Sequence, residues 1–490
     1  MARARTTPDL LRAAAAAHPE RDAYVHGQKR ATYAWLDRAA DGFAATLRES
    51  GVTKGDVTCL LLPSSIKFAA CYLGALRAGA ITSAINLRLG AREQASIFER
   101  TTPKVTVLGD GAEVPTGADA GTVLHVSELG PVLKHDPAPP GSLPDISPDD
   151  PACIVWTSGT TGAPKGAVYD HARMAAISRN IGQLTEPGDR RLVVLPFPHV
   201  GYMTRMWDEL ANGTTIVIAS EPWSAEETLR AIREEHITMG TGVPTQWELV
   251  LAHPDLARTD FSELRVCGIG GAAIAPDLVH RMREMLGCPV ITRYTSTEAG
   301  VTTSTVVGDT DDVVATTVGR PAPDVELRIA DPVGEVGEIV CRSPAMMRGY
   351  WKDPELTGTV IDTDGWLHTG DLGFVGSDGN LRIRGRLDDL YLRGGYNVYP
   401  AEVEAVLRDH PAVAQIAVVA TPDPVLGELG VACVVPTDTG APPALDELRA
   451  WCRDRIADYK APDRLVVLDA LPVTTMHKVD KQALRAMGSG

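Results

Sequence analysis

The sequence lacks the patterns that mark metal-binding, secreted and membrane-spanning proteins. Its eight cysteines are scattered, with no CxxC pair and no histidine cluster at zinc-ligand spacing, so we expect buried thiols in a reducing compartment. No apolar run is long enough to span a bilayer, since even residues 68–85 are interrupted by Arg77. The N-terminal alanine run is too short and too polar-flanked for a signal peptide. We therefore expect a cytoplasmic protein with no membrane insertion.

Basic residues are also few. The chain has 47 Lys and Arg against 63 Asp and Glu, which gives a formal net charge of −16. This balance argues against a broad nucleic-acid surface, and it means that an anionic substrate is held by a few placed cations and backbone N–H groups. At 490 residues, of which 44% are hydrophobic, the chain can bury several cores in about two to four domains.

Three regions of the chain differ in their pattern. The first, to about residue 133, alternates helical patterns with short apolar runs and indicates an α/β unit. The proline-rich stretch 134–151 that follows is typical of a linker. Residues 151–386 are again α/β and become all-β near their end. Within them Ser224 and Glu227 form a capping-box pattern that predicts the start of a helix. Residues 389–490 predict a small α+β unit with a helix that starts at Pro400.

The most informative segment is TSGTTGAPKG at residues 157–166. Glycines let backbone N–H groups approach a polyphosphate, hydroxyls donate to its oxygens, and Lys165 neutralises charge. A Walker loop would need GxxxxGK[ST] at the start of a helix, but here Gly166 and a strand-like segment follow the lysine. The sequence therefore predicts a phosphate-binding loop between two strands, with a flexible surface turn as the weaker alternative.

A second glycine-rich segment, GIGGAA at residues 268–273, follows a strand predicted at 264–268 and precedes a helix that starts at Pro276. It satisfies the dinucleotide fingerprint GxGxxA, but no acidic residue ends a clean second strand about 20 residues further on. A tight strand-to-helix turn is the alternative interpretation.

Several segments taken together resemble one known family. They occur in the order typical of the adenylate-forming (ANL) superfamily, and the chain resembles its acyl-CoA synthetase branch, the fatty-acyl and aryl-acid CoA ligases, over nearly its whole length. The principal segments are residues 157–166, 294–298, 368–371, 385–388 and 471–481. Further landmarks lie at residues 31–36, 85–88, 318–321, 334–339, 347–350 and 393–404.

The resemblance implies an α/β fold with a large N-terminal domain, residues 1–387, and a small mobile α+β C-terminal domain, residues 388–490. The large domain would contain two α/β subdomains and a small β-barrel-like subdomain, with the hinge between the domains at Asp388. The implied activity is that of an acyl-CoA ligase. A carboxylate attacks the α-phosphorus of ATP and releases pyrophosphate, and the thiol of CoA then displaces AMP from the acyl adenylate.

The resemblance also implies which residues bind the nucleotide. The implied contacts are Thr157, Ser158, Gly159, Thr160, Thr161 and Lys165 for the β,γ-phosphates; Gly270, Gly271, Ala272 and Tyr294 for adenine; and Asp371 and Arg386 for the ribose. The glycines would pass their backbone beside the base, and the tyrosine would stack on its face.

Three further residues would act at the reacting atoms. Thr297 would contact the α-phosphate, and Glu298 would hold Mg²⁺, a hard cation that prefers carboxylate oxygen. Lys478 matches the family's mobile lysine and would bridge the carboxylate and the α-phosphate as charge develops.

Fewer residues point to the acid and CoA sites. His199 would gate the acid pocket, with a packed core histidine as the alternative, and a histidine here argues against an amino-acid substrate. The small residues 268–273 would leave room for a bulky acid. Gly394 and Gly395 would form the wall along which the pantetheine arm of CoA passes.

Three positions depart from the family pattern, because Thr295, Asp324 and His477 stand where glycine is usual. These departures leave an alternative function, in which the enzyme only forms the thioester from an adenylate made by another enzyme. The sequence is also compatible with a ligase that loads a phosphopantetheinyl carrier protein and with a non-catalytic nucleotide-binding protein. We expect the chain to act as a monomer or a homodimer.

Overall fold

Four β-sheets, with helices packed around them, organise the part of the chain that the computed structural model describes, which is residues 5–134, 143–157, 164–271, 274–474 and 479–488. In chain order the strands there are β1 (Asp22–His26), β2 (Lys29–Thr32), β3 (Val57–Leu61), β4 (Ile81–Ala84), β5 (Val105–Leu108), β6 (Thr122–His125), β7 (Pro151–Thr157), β8 (Lys165–Asp170), β9 (Arg190–Val193), β10 (Thr215–Ile218), β11 (Met239–Gly242), β12 (Val266–Gly270), β13 (Val290–Ser296), β14 (Gly300–Ser304), β15 (Arg320–Pro321), β16 (Glu326–Val333), β17 (Val336–Arg342), β18 (Leu367–Val375), β19 (Leu381–Arg386), β20 (Tyr391–Arg393), β21 (Tyr396–Val398), β22 (Val413–Asp423), β23 (Gly427–Pro436) and β24 (Arg464–Val467).

The α-helices of the same described ranges lie between these strands or flank them. They are α1 (Thr7–Ala17), α2 (Tyr33–Glu49), α3 (Ile66–Arg77), α4 (Ala91–Thr101), α5 (His171–Ile181), α6 (Val200–Met203), α7 (Met206–Asn212), α8 (Ala225–Glu234), α9 (Pro244–Leu251), α10 (Pro276–Leu286), α11 (Asp311–Thr316), α12 (Pro354–Val360), α13 (Pro400–Arg408), α14 (Leu445–Arg453) and α15 (Lys481–Gly488).

Two large, mainly parallel sheets form the N-terminal part. The first has nine strands in the order β15-β14-β13-β12-β11-β9-β10-β1-β2, and the second has six in the order β6-β5-β3-β4-β7-β8. Their parallel strands β3 and β10 are buried along their whole length, because helices cover both faces of such sheets. The largest apolar core gathers side chains from both sheets and from helices α1 to α3, and Phe43, Phe68 and Phe197 are fully buried in it.

Two smaller antiparallel sheets follow. Strands β16 to β19 pair in sequence order, and within the described chain the end strands β16 and β19 do not pair with each other, so the unit expected to be barrel-like is an open sheet. The last sheet contains β20 to β24 and packs with α13 and α14 around its own core, which includes Val403, Leu407, Val418 and Leu448. An α/β fold with a large N-terminal part and a smaller C-terminal part is therefore confirmed.

Local signals in the sequence account for several element boundaries. The Ser224 hydroxyl caps α8 by accepting the Glu227 N–H at 3.1 Å, as predicted, and α13 begins at Pro400. The strand predicted at 264–268 is shifted by two residues, because Leu264 donates its N–H to Phe261 in a turn and β12 begins only at Val266. None of the helices in the described ranges is long and apolar enough to cross a membrane.

A buried histidine makes the stability of the N-terminal part sensitive to pH. His171, at the start of α5, is 2% exposed. Its Nδ1 accepts the Thr7 backbone N–H at 3.3 Å, and the Thr7 hydroxyl oxygen lies 2.9 Å from the same nitrogen. Burial lowers the pKa of His171 to about 4, so the folded protein keeps the ring neutral where the unfolded chain protonates it.

We expect the free energy of unfolding to be highest, as far as this group is concerned, above the unfolded-state pKa of about 6.5 and to fall as the pH drops towards 4. Between pH 7.5 and pH 5 the free energy of unfolding should fall by about 2 kcal/mol, because each pH unit below about 6.5 costs about 1.4 kcal/mol. In urea unfolding, His171→Gln should remove this pH dependence, whereas His125→Gln, at an exposed position of β6, should keep it. An equal pH dependence in His171→Gln and the parent protein would contradict the assignment.

Candidate active site

Thr157 and Lys165, two predicted phosphate contacts, stand opposite each other at the ends of β7 and β8. The strands are antiparallel with these residues in register, and the Thr157 hydroxyl donates to the Lys165 carbonyl at 3.5 Å. The segment thus joins two strands, as predicted, and does not open a helix as a Walker loop does. The expected contacts Ser158, Gly159, Thr160 and Thr161 lie outside the described residues.

A tyrosine links the lysine of this loop to the predicted metal ligand. The Tyr350 hydroxyl donates to Glu298 Oε1 at 2.9 Å, and Lys165 Nζ lies 5.9 Å from the centre of the same ring. Backbone hydrogen bonds fix this arrangement, because Trp351 donates to the Gly166 carbonyl at 2.7 Å. The ring therefore brings together a cation from the six-stranded sheet and a carboxylate that follows β13 of the nine-stranded sheet.

Tyr350 had no predicted role, although its segment 347–350 matched a family landmark. Burial, together with the neighbouring Glu298 carboxylate, raises the pKa of the Tyr350 hydroxyl above its usual range, so the group stays a hydrogen-bond donor. Tyr169 was missed in the same way: its hydroxyl donates to the Thr297 carbonyl at 2.7 Å. For Tyr350 the available signal was its place in the glycine-containing landmark 347–350, whereas Tyr169 lies just after the landmark 157–166.

The turn between β13 and β14 carries Thr297 and Glu298. Its first residue, Ser296, accepts the Ala299 N–H on its hydroxyl at 3.0 Å, and the Glu298 carbonyl accepts the Met347 N–H at 2.7 Å. Because Tyr169 holds the Thr297 carbonyl, the turn is anchored from both sides. The two predicted catalytic residues are thus adjacent on a backbone held by partners far away in sequence.

Tyr294, Asp371 and Arg386 form a second cluster. The Tyr294 hydroxyl donates to Asp371 Oδ2 at 2.5 Å, and Arg386 Nε lies 3.4 Å from Asp371 Oδ1. The acid and the arginine face each other across β18 and β19. Tyr294 is 7% exposed and packs against Ile339 and Leu381, so one side of its ring is committed to the core. Adenine and ribose contacts predicted from separate motifs are therefore neighbours.

Glycine is required where β12 ends. A Cβ on Gly270 would lie 2.7 Å from the Arg293 carbonyl oxygen, and Gly271 has a φ of +80°, which L side chains rarely adopt. Ala272 lies outside the described residues. At Gly268 the space is filled by Leu184, whose methyl carbon would lie 3.3 Å from an added Cβ. Leu184 thus packs against Gly268 on the side where a Cβ would point, and the expectation that residues 268–273 leave room for a bulky acid stays a prediction.

His199 is the N-cap of the short helix α6. Its Nδ1 accepts the Gly201 N–H at 3.1 Å, which places the proton of the neutral ring on Nε2. The residue is intermediate in burial, so the role of His199 at the acid pocket and the alternative of a packed, hydrogen-bonded histidine both stay predictions.

The residues expected to guide CoA lie on the five-stranded sheet. Gly394 and Gly395 form the two-residue turn between β20 and β21, with φ values of +58° and +83° that suit a type I′ hairpin. Asp388 lies in the turn between β19 and β20, where its carbonyl accepts a hydrogen bond from Arg485 at 3.4 Å. Lys478 and His477 lie outside the described residues.

Two departures from the family pattern have a visible structural form. Asp324 adopts a φ of +61°, the left-handed conformation that glycine takes easily, and its carboxylate pairs with Arg179 at 3.2 Å. Thr295 sits at an irregularity in the pairing of β13 with β14, one residue after Tyr294.

The described residues contain no group of three or more His, Cys, Asp or Glu side chains that could hold a metal ion by themselves. Glu298 therefore offers a single carboxylate. That donor set fits Mg²⁺, which usually keeps several waters and binds through one or two carboxylates together with substrate phosphates.

Family models cover most of the chain. The AMP-binding enzyme model matches residues 11–351, and the AMP-binding enzyme C-terminal domain model matches residues 402–478. The 3-[(3aS,4S,7aS)-7a-methyl-1,5-dioxo-octahydro-1H-inden-4-yl]propanoyl:CoA ligase of Rhodococcus jostii (strain RHA1) is 36% identical, with 98% of each chain covered. The feruloyl-CoA synthase of Amycolatopsis sp is 35% identical over 95% of this chain and 96% of its own.

Solved structures agree with these matches. The amide bond synthetase McbA from Marinactinospora thermotolerans superposes with a TM-score of 0.89 at 30% identity, covering 99% of this chain and 100% of its own. A Mycobacterium tuberculosis fatty acyl CoA synthetase gives 0.78 at 29% identity, covering 99% and 98%. The chain therefore belongs to the AMP-binding enzyme family, in its acyl-CoA synthetase branch.

Proposed function

We propose that this AMP-forming acid–CoA ligase activates a ring-bearing carboxylic acid. We also propose that Mg·ATP binds between Asp371 and the Tyr350 junction, by which we mean the Tyr350 ring with its neighbours Lys165 and Glu298. The enzyme joins the acid to AMP with release of pyrophosphate and then transfers the acyl group to the CoA thiol. The single observation that carries the site assignment is the placement of Lys165 and Glu298 on one tyrosine ring. Two of the similar relatives are named for ring-bearing acids, which supports the substrate class.

The Tyr350 junction would receive the phosphates. Lys165 supplies a positive charge at the mouth of the loop, and Glu298 supplies the oxygen ligand for Mg²⁺. Tyr350 keeps the two side chains on one ring without a direct ion pair between them in the described contacts, so both charges can turn to phosphate and metal. Mg²⁺ would offset phosphate charge as the carboxylate attacks the α-phosphorus.

The Asp371 cluster would receive the nucleoside. Arg386 is half exposed and its contact with Asp371 is long, so this pair can open to ribose hydroxyls at low cost. Tyr294 remains bonded to the other carboxylate oxygen and fixes its direction. The backbone at Gly270, where a Cβ does not fit, and at Gly271, whose φ is positive, would pass beside adenine.

We also propose that the chain divides into domains 1–387 and 388–490. Between the two half-reactions the C-terminal domain would rotate about Asp388, so that Lys478 leaves the active site and the Gly394-Gly395 turn takes its place there. The position of Asp388 between the last two sheets, and the separate core of the C-terminal sheet, support this division. Thr297 would contact the α-phosphate and His199 the acid.

The acyl acceptor is the part of the reaction on which similar proteins differ. McbA is named an amide bond synthetase, and a 32% identical Streptomyces coeruleorubidus relative is named a fatty acid–[acyl-carrier-protein] ligase. CoA remains the proposed acceptor, since similar relatives over nearly the whole chain are CoA ligases.

The activity itself is tested with ATP, Mg²⁺ and a panel of acids: ferulate, indole-3-acetate, 3-(indan-4-yl)propanoate and palmitate. We expect acid-dependent pyrophosphate exchange, with kcat/KM for the best ring-bearing acid at least about 10-fold above palmitate. Adding CoA, a phosphopantetheinylated carrier protein or a primary amine in parallel should release AMP fastest with CoA. Adenylation-negative behaviour across the panel, with thioester formation from a supplied acyl adenylate, would instead favour the enzyme that only forms thioesters.

The tyrosine junction is tested by Tyr350→Phe. This variant keeps the ring next to Lys165 but removes the donor to Glu298, so the carboxylate loses its fixed direction. We expect KM for Mg·ATP in pyrophosphate exchange to rise about 10-fold, which is within the range for one hydrogen bond to a charged group. Tyr459→Phe, at a half-buried position beside the C-terminal sheet, is the matched control and should change nothing. An unaltered KM in Tyr350→Phe would reject the junction as part of the ATP site.

A further inference from the structure

A buried ion pair adjoins the helix that His199 caps. Arg191 on β9 and Glu209 on α7 are 5% and 3% exposed, and Arg191 Nη1 donates to Glu209 Oε1. The same guanidinium donates through Nη2 to the Gly201 carbonyl of α6 at 3.0 Å. One buried cation therefore connects a strand of the nine-stranded sheet with two successive helices.

Gly201 is hydrogen-bonded to both Arg191 and His199. Its carbonyl accepts from Arg191, and its N–H donates to His199 Nδ1 at 3.1 Å. A Cβ at Gly201 would lie 3.2 Å from that nitrogen, so the ring packs closely on the glycine. Three consecutive polar contacts thus run from Glu209 through Arg191 and Gly201 to the imidazole.

Stability alone does not account for the pair. Burial lowers the pKa of Arg191 to about 10 and raises the pKa of Glu209 to about 7, so both charges are held at a cost. Arg191 Nε and Glu209 Oε2 make no hydrogen bond within the described part of the chain. Replacing a buried ion pair in a protein by apolar side chains of similar volume is often neutral or stabilising. The other charged or titratable groups that interact with Glu209 are Arg205, Asp208, Tyr24, Tyr33, Tyr72 and Tyr202.

We propose that Arg191 and Glu209 are positioning residues that fix the direction and the tautomer of His199 through Gly201, and thereby shape the acid half of the site. This inference rests on the proposed function, in which His199 faces the acid. The guanidinium holds the Gly201 carbonyl, and glycine, which has the freest backbone, is kept in one conformation. Its N–H then keeps Nδ1 an acceptor, and the imidazole presents Nε2–H in one direction.

A neighbouring pair provides the control. Arg190, the residue before Arg191 on β9, binds Glu235 at 2.9 Å, with side chains 24% and 11% exposed. The described hydrogen bonds of its guanidinium run to Glu235 and not to α6. Glu235→Gln therefore removes an arginine partner from the same strand without touching the His199 connection.

The test compares Glu209→Gln, the double variant Arg191→Met with Glu209→Leu, Glu235→Gln and His199→Gln at pH 8. Imidazole ¹⁵N spectra of histidine-labelled protein identify the His199 signals by their loss in His199→Gln. In the parent protein and in Glu235→Gln we expect a single tautomer with an unprotonated, hydrogen-bonded Nδ1. In the two pair variants we expect exchange between both tautomers. The double variant leaves no unpaired buried charge, so it should keep the parental melting temperature.

Kinetics give a second readout with the ring-bearing acid that supports the fastest exchange. In both pair variants we expect KM for the acid to rise about 10-fold while KM for Mg·ATP changes less than about 2-fold. Parental ¹⁵N signals and parental KM in the folded double variant would overturn the positioning role. If His199→Gln itself leaves KM for the acid unchanged, the proposed role of His199 fails, whatever the spectra of the pair variants show.

Discussion

The contact between Tyr350 and its two charged neighbours is the interaction on which the proposed site depends. Its ring adjoins Lys165 and its hydroxyl binds Glu298, so a cation and an anion stay close without neutralising each other through a direct bond in the described contacts. Such an arrangement suits a ligand that carries both signs of charge, as a magnesium–polyphosphate complex does. Because the overall charge of the chain is −16, this local cation matters more than any general attraction for anions.

A second contact joins the small β16–β19 sheet to the nine-stranded sheet. The hydrogen bond from Tyr294 to Asp371 joins β13 to β18, and Arg386 on β19 completes the cluster. Tyr294 lies on β13 and Glu298 in the turn that follows it. The Tyr294–Asp371 contact and the Tyr350–Glu298 contact therefore start from residues only a few positions apart on one hairpin. The hairpin is thus the element that relates the proposed nucleoside contacts to the proposed phosphate contacts. The Arg191–Glu209 pair is a further buried polar contact, which Gly201 connects to His199.

Local signals were enough to predict the parts of the fold that depend on short stretches of chain. The capping serine at 224, the helix start at Pro400 and the strand-to-strand loop before Gly166 are each determined by a few neighbouring residues. Ordered motifs were enough to predict residues that the structure brings together, namely Tyr294, Asp371 and Arg386. Contacts between distant segments were not predictable in this way: nothing near Gly268 indicates that Leu184 fills its space, and Tyr350 gains its role only when residues 298 and 165 meet on it. The β12 shift shows the same limit, because a turn at Leu264 rather than apolarity decides where the strand begins.

The most direct test of the central claim is a crystal structure of the enzyme with Mg²⁺, pyrophosphate and a 5′-O-(N-acylsulfamoyl)adenosine that mimics the acyl adenylate. The ribose is expected within hydrogen-bond distance of Asp371, adenine beside Tyr294 and the Gly270 backbone, and pyrophosphate with its metal between Lys165 and Glu298. Density for the adenosine away from Asp371, or for pyrophosphate away from the Tyr350 ring, would contradict the account.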